Sequence, residues 1–181
     1  MFVKNSTGVL KKVMVCSPEY LQLQPINEIS KEWINKGEHD SNRKAALREH
    51  SEFVDAYRSN GVEVIEVVPD PNEPLMVFAR DFGGCVAEGV IMGHFREPVR
   101  RSESAIYEAK LKEIGVPVIA RCSAGNFEGG DFWFLDDYTL AIGVVDRTNW
   151  HAIANIREQM EKFGYNVIGV ECPPENLHLD M

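Results

Sequence analysis

The sequence predicts an α/β fold assembled from repeated strand–strand–helix–strand modules. Three observations carry this. Helical stretches give way to strand-type runs across a glycine at Ser59-Asn60-Gly61-Val62-Glu63-Val64-Ile65, at Glu113-Ile114-Gly115-Val116-Pro117-Val118-Ile119, and at Lys162-Phe163-Gly164-Tyr165-Asn166-Val167-Ile168. The glycines recur at intervals of roughly 50 residues, the mark of a repeat architecture. The runs that follow are rich in β-branched residues, as strands covered by helices are. A helix between two such strands implies a right-handed crossover.

Each element follows in order. Gly8 to Cys16 reads as a turn into a first strand. Residues 17–40, punctuated by Pro18, Pro25 and Gly37, are long for a loop and are expected to carry a short helix or to act as a lid. Asp40 or Ser41 is expected to cap a helix to about Asn60, with Ala45, Leu47, Phe53, Val54 and Tyr57 on its apolar face and Gly61 as its stop. Val62–Val68 is the next strand, and the prolines of 69–74 make a turn. Leu75–Phe78 and Cys85–Met92 read as two strands around Arg80-Asp81-Phe82-Gly83-Gly84. A helix over Ser102–Ile114 turns Ile106, Leu111 and Ile114 inward, and Val116–Arg121 is a strand. Phe132–Leu135 turns at Asp136-Asp137 and pairs with Thr139–Val145. A helix runs from about Asn149 to Phe163, followed by a strand at Val167–Val170. Pro173-Pro174 breaks the chain, and Leu177–Met181 begins another strand.

Composition bounds the function. The 181 residues, 44% hydrophobic and 26% charged, are ordinary for one soluble domain. A net charge of −9 argues against nucleic acid and anionic membrane surfaces and favours cationic small molecules. No apolar run approaches the roughly 18 residues of a membrane span, and Met1-Phe2-Val3-Lys4-Asn5 lacks a signal-peptide core. Cys16, Cys85, Cys122 and Cys172 are widely separated and form no CxxC pair, so they read as buried thiols in a reducing cytoplasm.

The chain's chemistry gathers at Asn126-Phe127-Glu128-Gly129-Gly130-Asp131, where two carboxylates bracket a glycine pair before the run Phe132-Trp133-Phe134-Leu135. Glycines before a strand allow a close approach of the backbone, so an acid on this turn is aimed by main chain. Asp81 follows Gly61, Glu128 and Asp131 follow Gly115, and His178 and Asp180 follow Gly164 at comparable offsets. If the repeats pack around a pseudo-rotation axis, these residues face a common centre. Clustered carboxylates suit a planar, forked guanidinium, which they bind bidentately. A His beside them is a general acid/base. Attack on a guanidinium carbon further requires a nucleophile, usually a thiolate. The competing reading is a divalent metal held by the His and the carboxylates.

Phe78-Ala79-Arg80-Asp81, Glu128-Gly129-Gly130-Asp131, Asp146-Arg147-Thr148-Asn149 and Leu177-His178-Leu179-Asp180, in that order, resemble the guanidino-group-modifying superfamily of arginine deiminases, dimethylarginine dimethylaminohydrolases and amidinotransferases. The resemblance runs from about Gly8 to the end. It implies a partial α/β propeller, about three of five ββαβ modules, as one incomplete domain over residues 1–181. It implies Glu128 and His178 as the catalytic acid/base pair, with His178 protonating the leaving group and later activating water. Asp81 and Asp180 would grip the guanidinium, Arg147 would hold the substrate carboxylate, and Phe78 would line the pocket. Arg100 and Arg101 are weaker candidates for the carboxylate and read first as a solvated pair before a helix. The resemblance implies neither metal nor cofactor.

The family's nucleophilic Cys lies well beyond the His-Leu-Asp segment, and the sequence ends at Met181, directly after Asp180. None of the four cysteines matches that nucleophile. The chain is therefore expected to be inactive alone, as a truncated or split relative of a Cys-His-Glu enzyme or as a guanidine-binding or assembly protein. It is expected to be cytoplasmic. Its open end is expected to be covered in a homo-oligomer or by a complementary C-terminal chain.

Overall fold

A computed structural model describes residues 2–37, 42–173 and 176–181. The chain forms two compact units, Val9–Ala79 and Met1–Gly8 with Arg80–Met181.

The Val9–Ala79 unit holds β1 (Lys12–Cys16), α1 (Glu28–Asn35), α2 (Arg43–Ser59) and β2 (Glu63–Val67). β1 and β2 are parallel, paired from Lys12↔Glu63 to Cys16↔Val67, with α2 in the crossover. The 17–40 stretch carries the short helix α1, started by a reciprocal cap in which Asn27 Oδ1 accepts from Ser30 N (2.8 Å) and Ser30 Oγ accepts from Asn27 N (3.2 Å). The expected caps Asp40 and Ser41 lie outside the described residues. Asn42 is the cap observed, its side chain accepting from Ala45 N at 3.1 Å.

Val54 is buried on α2, but Phe53 is 49% exposed and meets Tyr57 edge-on instead of joining the core. Leu75–Phe78 is not a strand. Met76 N donates to Glu73 O and Phe78 N to Leu75 O, so local turns take the hydrogen bonds a ladder would need.

The second unit contains two modules of one design. In the first, β3 (Gly83–Val86) and β4 (Gly89–Met92) are antiparallel, and α3 (Glu103–Glu113) leads to β5 (Val118–Arg121), parallel to β4. In the second, β6 (Phe132–Phe134) and β7 (Thr139–Val144) are antiparallel, and α4 (Trp150–Glu161) leads to β8 (Asn166–Glu171), parallel to β7. The stretch expected as one strand, Cys85–Met92, is thus a hairpin turning at Ala87-Glu88. Gly89, at the start of β4, lets the chain ahead of β5 approach closely, because a Cβ there would lie 2.3 Å from Pro117 O. Phe127, Ile91, Phe132, Leu140, Ile142, Ile153, Ile156 and Met160 form the core of this unit.

The three helix-ending glycines are alike at atomic level. Gly61, Gly115 and Gly164 have φ of 73°, 73° and 82°. The next residue bonds back across the last turn each time: Val62 N to Tyr57 O, Val116 N to Leu111 O, Tyr165 N to Met160 O. This is the left-handed C-terminal cap with its long return bond, which releases the chain into a strand.

Leu177–Met181 forms no strand. Leu179 N donates to Asp131 Oδ1 and Asp180 N to Gly130 O, so this tail is tied to the 128–131 turn instead of a sheet edge. Among the described residues no helix is long and apolar enough to cross a membrane.

Candidate active site

The site lies within the Arg80–Met181 portion and is built on the turn Gly129–Asp131. Gly129 is required by contact, since a Cβ there would sit 2.2 Å from both Arg80 O and Gly83 O. Gly130 is required by His178, because its Cβ would lie 2.7 Å from the imidazole Cγ. The glycine pair thus presses the turn against β3 on one side and lets the imidazole lie on the main chain on the other. Phe127, one residue earlier, exchanges backbone hydrogen bonds with His94.

Three side chains converge. Atoms of Asp81, Glu128 and His178 all lie within 4.8 Å of one another, and all three residues are buried. His178 Nε2 is 3.7 Å from Asp81 Oδ1 and 3.9 Å from Glu128 Oε2. Glu128 Oε1 accepts from Arg96 N at 3.2 Å, while Oε2 is buried without a hydrogen-bond partner.

Asp131 stands behind the imidazole. Its Oδ1 is 3.2 Å from His178 Nδ1 and accepts from Leu179 N at 3.1 Å. Its Oδ2 accepts a short bond from the Thr148 hydroxyl, which in turn accepts from Glu128 N at 3.1 Å. A carboxylate already engaged in this way accepts from Nδ1, so the Nδ1 proton is fixed and Nε2 is turned toward Asp81 and Glu128.

The electrostatics push both groups of the pair upward. Burial is the main reason the Glu128 carboxyl is pushed up to about 7; Asp81 adds repulsion, and Arg147 and Arg100 oppose it. Burial lowers His178, but the hydrogen bond it donates to Asp131 and the charges of Asp81, Asp131 and Glu128 outweigh it, so the net shift is upward. A carboxyl that titrates near neutrality beside a basic imidazole is the pairing proton-transfer chemistry needs.

Asp81 is also bound from behind. Arg100 Nη1 donates to Asp81 Oδ2 at 2.6 Å, while Arg100 Nε and Nη2 reach Glu103 Oε1 and Oε2, each at 3.0 Å. Arg100 is 3% exposed, so the reading of Arg100 as half of a solvated pair is overturned. The i, i+3 spacing from Arg100 to Glu103 at the start of α3 was the available signal. Arg101 is exposed and donates to Phe95 O and Arg96 O.

Of the other expected site residues, Arg147 is buried. Its Nη1 is 3.7 Å from Glu97 Oε1 and 4.0 Å from Glu128 Oε1, and its Nε is 3.3 Å from Asp146 Oδ2. Asp180 pairs with Arg80 Nε at 3.4 Å and is not one of the three convergent groups. Phe78 belongs to the other unit and is 49% exposed. Asp131, expected from the sequence at the common centre, stands instead behind the imidazole and holds it in register together with Thr148.

Two carboxylates and one imidazole at this spacing could hold a divalent ion, and they also fit a forked cation with its proton donors aimed at carboxylate oxygens. No thiol is among the convergent groups of the described residues. Cys85 and Cys122 are pushed up to about 11 by burial, and burial raises Cys172 as well.

Comparison with known proteins gives a consistent result. The family model described as N,N dimethylarginine dimethylhydrolase, eukaryotic, matches residues 17–181. The uncharacterized protein YkgA of Bacillus subtilis is 32% identical over 98% of this chain and 60% of its own length. An arginine deiminase of Limosilactobacillus reuteri is 35% identical over 59% of this chain and 29% of its own. A cysteine-to-serine mutant of DDAH from Pseudomonas aeruginosa, complexed with citrulline, superposes with a TM-score of 0.78 at 21% identity, covering 95% of this chain and 64% of that one. The N-terminal domain of ArgZ, a cyanobacterial arginine dihydrolase bound to product, also gives 0.78 at 21%, over 92% of this chain and 59% of that one. At these identities the structures speak to the fold. The chain spans about three-fifths of the length of YkgA.

Proposed function

The chain belongs to the superfamily of dimethylarginine dimethylhydrolases and arginine deiminases, and from that premise we propose that Asp81, Glu128 and His178 form a binding and proton-transfer site for an arginine-like guanidinium. The observation that carries the reading is the convergence of two buried carboxylates on an imidazole whose far nitrogen is fixed by Asp131. Asp81 and Glu128 take the N–H groups of the guanidinium. His178, its pKa raised, delivers the Nε2 proton to the departing amine and then accepts one from the attacking water. Asp180 is a further gripping carboxylate, and Arg147 holds the substrate carboxylate. These two roles rest on the family likeness.

The covalent step requires a thiolate at the guanidinium carbon, forming a C–S bond as the C–N bond breaks. The high pKa values of Cys85 and Cys122 oppose either as its source. In this reading the thiolate comes from polypeptide corresponding to the part of the relatives that this chain does not match. The chain is then about three modules of a five-module α/β propeller. The two ββαβ modules, the β1–α2–β2 unit and the three-fifths coverage of YkgA support that count. Trp133, Leu135 and Met181, all exposed, are covered in a homo-oligomer or by the complementary chain, in the cytoplasm. A stable monomer in sedimentation at micromolar concentration, with no complementary chain in the cell, contradicts this assembly.

A second reading takes up the lack of a thiol among the convergent groups of the described residues: a protein that binds a guanidine without turning it over. A citrulline and ammonia assay on the purified 181-residue protein, alone and with a complementary thiol-bearing chain added, separates the two: turnover that appears only with the added chain supports the first reading, and none in either case supports the second. The account expects no turnover of arginine or methylarginine from this chain alone. A rate above about 0.1 per second, within reach of ordinary enzymes, overturns that expectation.

A further inference from the structure

A quartet of opposite charges lines one wall beside the convergent groups. Arg147 Nη1 lies 3.7 Å from Glu97 Oε1, and Arg147 Nε lies 3.3 Å from Asp146 Oδ2. Arg96 Nε lies 3.9 Å from the same Glu97 oxygen, and Arg96 Nη1 donates to Asp146 O at 2.9 Å. The quartet borders the site directly. Arg96 N donates to Glu128 Oε1 at 3.2 Å, and Arg147 Nη1 is 4.0 Å from that oxygen. Arg147 is buried, the Glu97 side chain is 19% exposed, and Arg96 and Asp146 reach solvent.

We propose that Glu97 is a specificity-determining residue that accepts the α-ammonium of the ligand while Arg147 holds its carboxylate, so that the site takes a free guanidino α-amino acid. This deepens the reading of the site as a guanidinium site and rests on it.

Charge balance carries the argument. The quartet sets two arginines against two acids. A ligand carboxylate arriving at Arg147 alone would come beside Glu97, Asp146 and Glu128, each within 4.0 Å of that guanidinium. Little water screens such repulsion at a buried group. A head group carrying only positive charge would meet Arg96 and Arg147 in the same way. The head of an α-amino acid brings one charge of each sign. Its carboxylate takes Arg147, its ammonium takes Glu97, and the balance of the wall is unchanged.

Glu97 is placed to make this exchange. Its contacts with Arg147 and Arg96, at 3.7 and 3.9 Å, are longer than the roughly 2.7–2.9 Å of a closed charge-assisted hydrogen bond. A carboxylate has about four acceptor positions, so a further donor can be taken. Its main chain is fixed, because Pro98 follows in the single turn Pro98–Arg100 and Arg100 N donates to Glu97 O at 3.0 Å. The side chain therefore starts from a set point on the wall, and its own torsions turn the carboxylate from Arg147 to the ammonium.

The test uses the whole 181-residue chain and two probes that differ at the head, L-arginine and Nα-acetyl-L-arginine, which keeps the carboxylate and lacks the ammonium. Titration calorimetry should show the acetylated probe binding at least about 10-fold more weakly to the wild-type chain, the scale of one hydrogen bond to a charged group. Glu97→Gln should weaken L-arginine by a similar factor and leave Nα-acetyl-L-arginine unchanged or tighter, because the ammonium and the carboxylate act as a coupled pair. Equal weakening of both probes overturns the proposal, since it would mean that Glu97 only arranges Arg147. An unchanged affinity for L-arginine overturns it as well.

If the wild-type chain binds neither probe, the guanidinium reading fails, and L-norvaline, with the same head and no guanidinium, decides the role of Glu97. Binding of L-norvaline that is lost in Glu97→Gln upholds the proposal; no binding overturns it. Should Glu97→Gln not fold, Glu97→Asp withdraws the same carboxylate by one methylene and is read against the same probes.

Discussion

His178 Nδ1 lies 3.2 Å from Asp131 Oδ1, and the other oxygen of Asp131 is held by the hydroxyl of Thr148. This contact joins the tail of the chain to the glycine turn and decides which imidazole nitrogen faces the site. It also makes the His178 titration a direct reporter of the arrangement. The midpoint is expected above the ordinary 6.5, and Asp131→Asn is expected to lower it, as followed by NMR of the imidazole resonances. A folded-state pKa above the unfolded one means the contribution to stability is complete below about 6.5 and is lost as pH rises through the folded value. A midpoint that does not respond to Asp131→Asn counts against the assignment.

Glu128 gives a second pH signature. Its folded pKa of about 7 exceeds the unfolded value of 4.5, so burial of the neutral acid is tolerated at low pH and the charged form is penalised above neutrality. Glu128→Gln removes the penalty. It should raise stability in urea unfolding by about 3 kcal/mol at pH 8 and by little near pH 4, with the change falling between pH 4.5 and 7. Equal effects at both pH values would show that Glu128 is not the buried, proton-holding group described.

Gly130 tests the packing of the imidazole on the turn. Gly130→Ala places a Cβ 2.7 Å from His178 Cγ, so one of them must move. Overpacking of this kind costs about 1–3 kcal/mol. Urea unfolding should show that loss, and the His178 titration should shift with it. A neutral substitution at this position contradicts the close contact.

The thiols provide a chemical check. With burial holding Cys85 and Cys122 at about 11, both should react slowly with iodoacetamide at pH 7.5 in the native protein and quickly once it is unfolded. Rapid native labelling of either would reopen the search for a nucleophile within the chain.

The repeat and the turn were legible from sequence for physical reasons. A glycine in the left-handed conformation after a helix leaves a mark that few other residues can replace, and Gly61, Gly115 and Gly164 all adopt it. The glycine pair at 129–130 likewise follows from backbone contact. What did not show was local hydrogen bonding that competes with ladders. Leu75–Phe78 and Leu177–Met181 look like strands by composition, but turn bonds and the Asp131 carboxylate take their backbone groups. The hairpin at Ala87-Glu88 was hidden because Cys85–Met92 reads as one apolar run. The Asp81–Arg100–Glu103 ion cluster was missed because an Arg-Arg pair before a helix looks solvated, and only the fold brings Asp81 to Arg100.

The most direct measurement is a titration of the protein with L-arginine, followed by the imidazole resonances of His178 and repeated with Asp81→Asn. The account predicts saturable binding, on the order of millimolar or tighter, that perturbs His178 and is weakened at least tenfold in Asp81→Asn. Absence of saturable binding, or binding that leaves His178 untouched and survives the loss of the Asp81 charge, would contradict a guanidinium site at Asp81, Glu128 and His178.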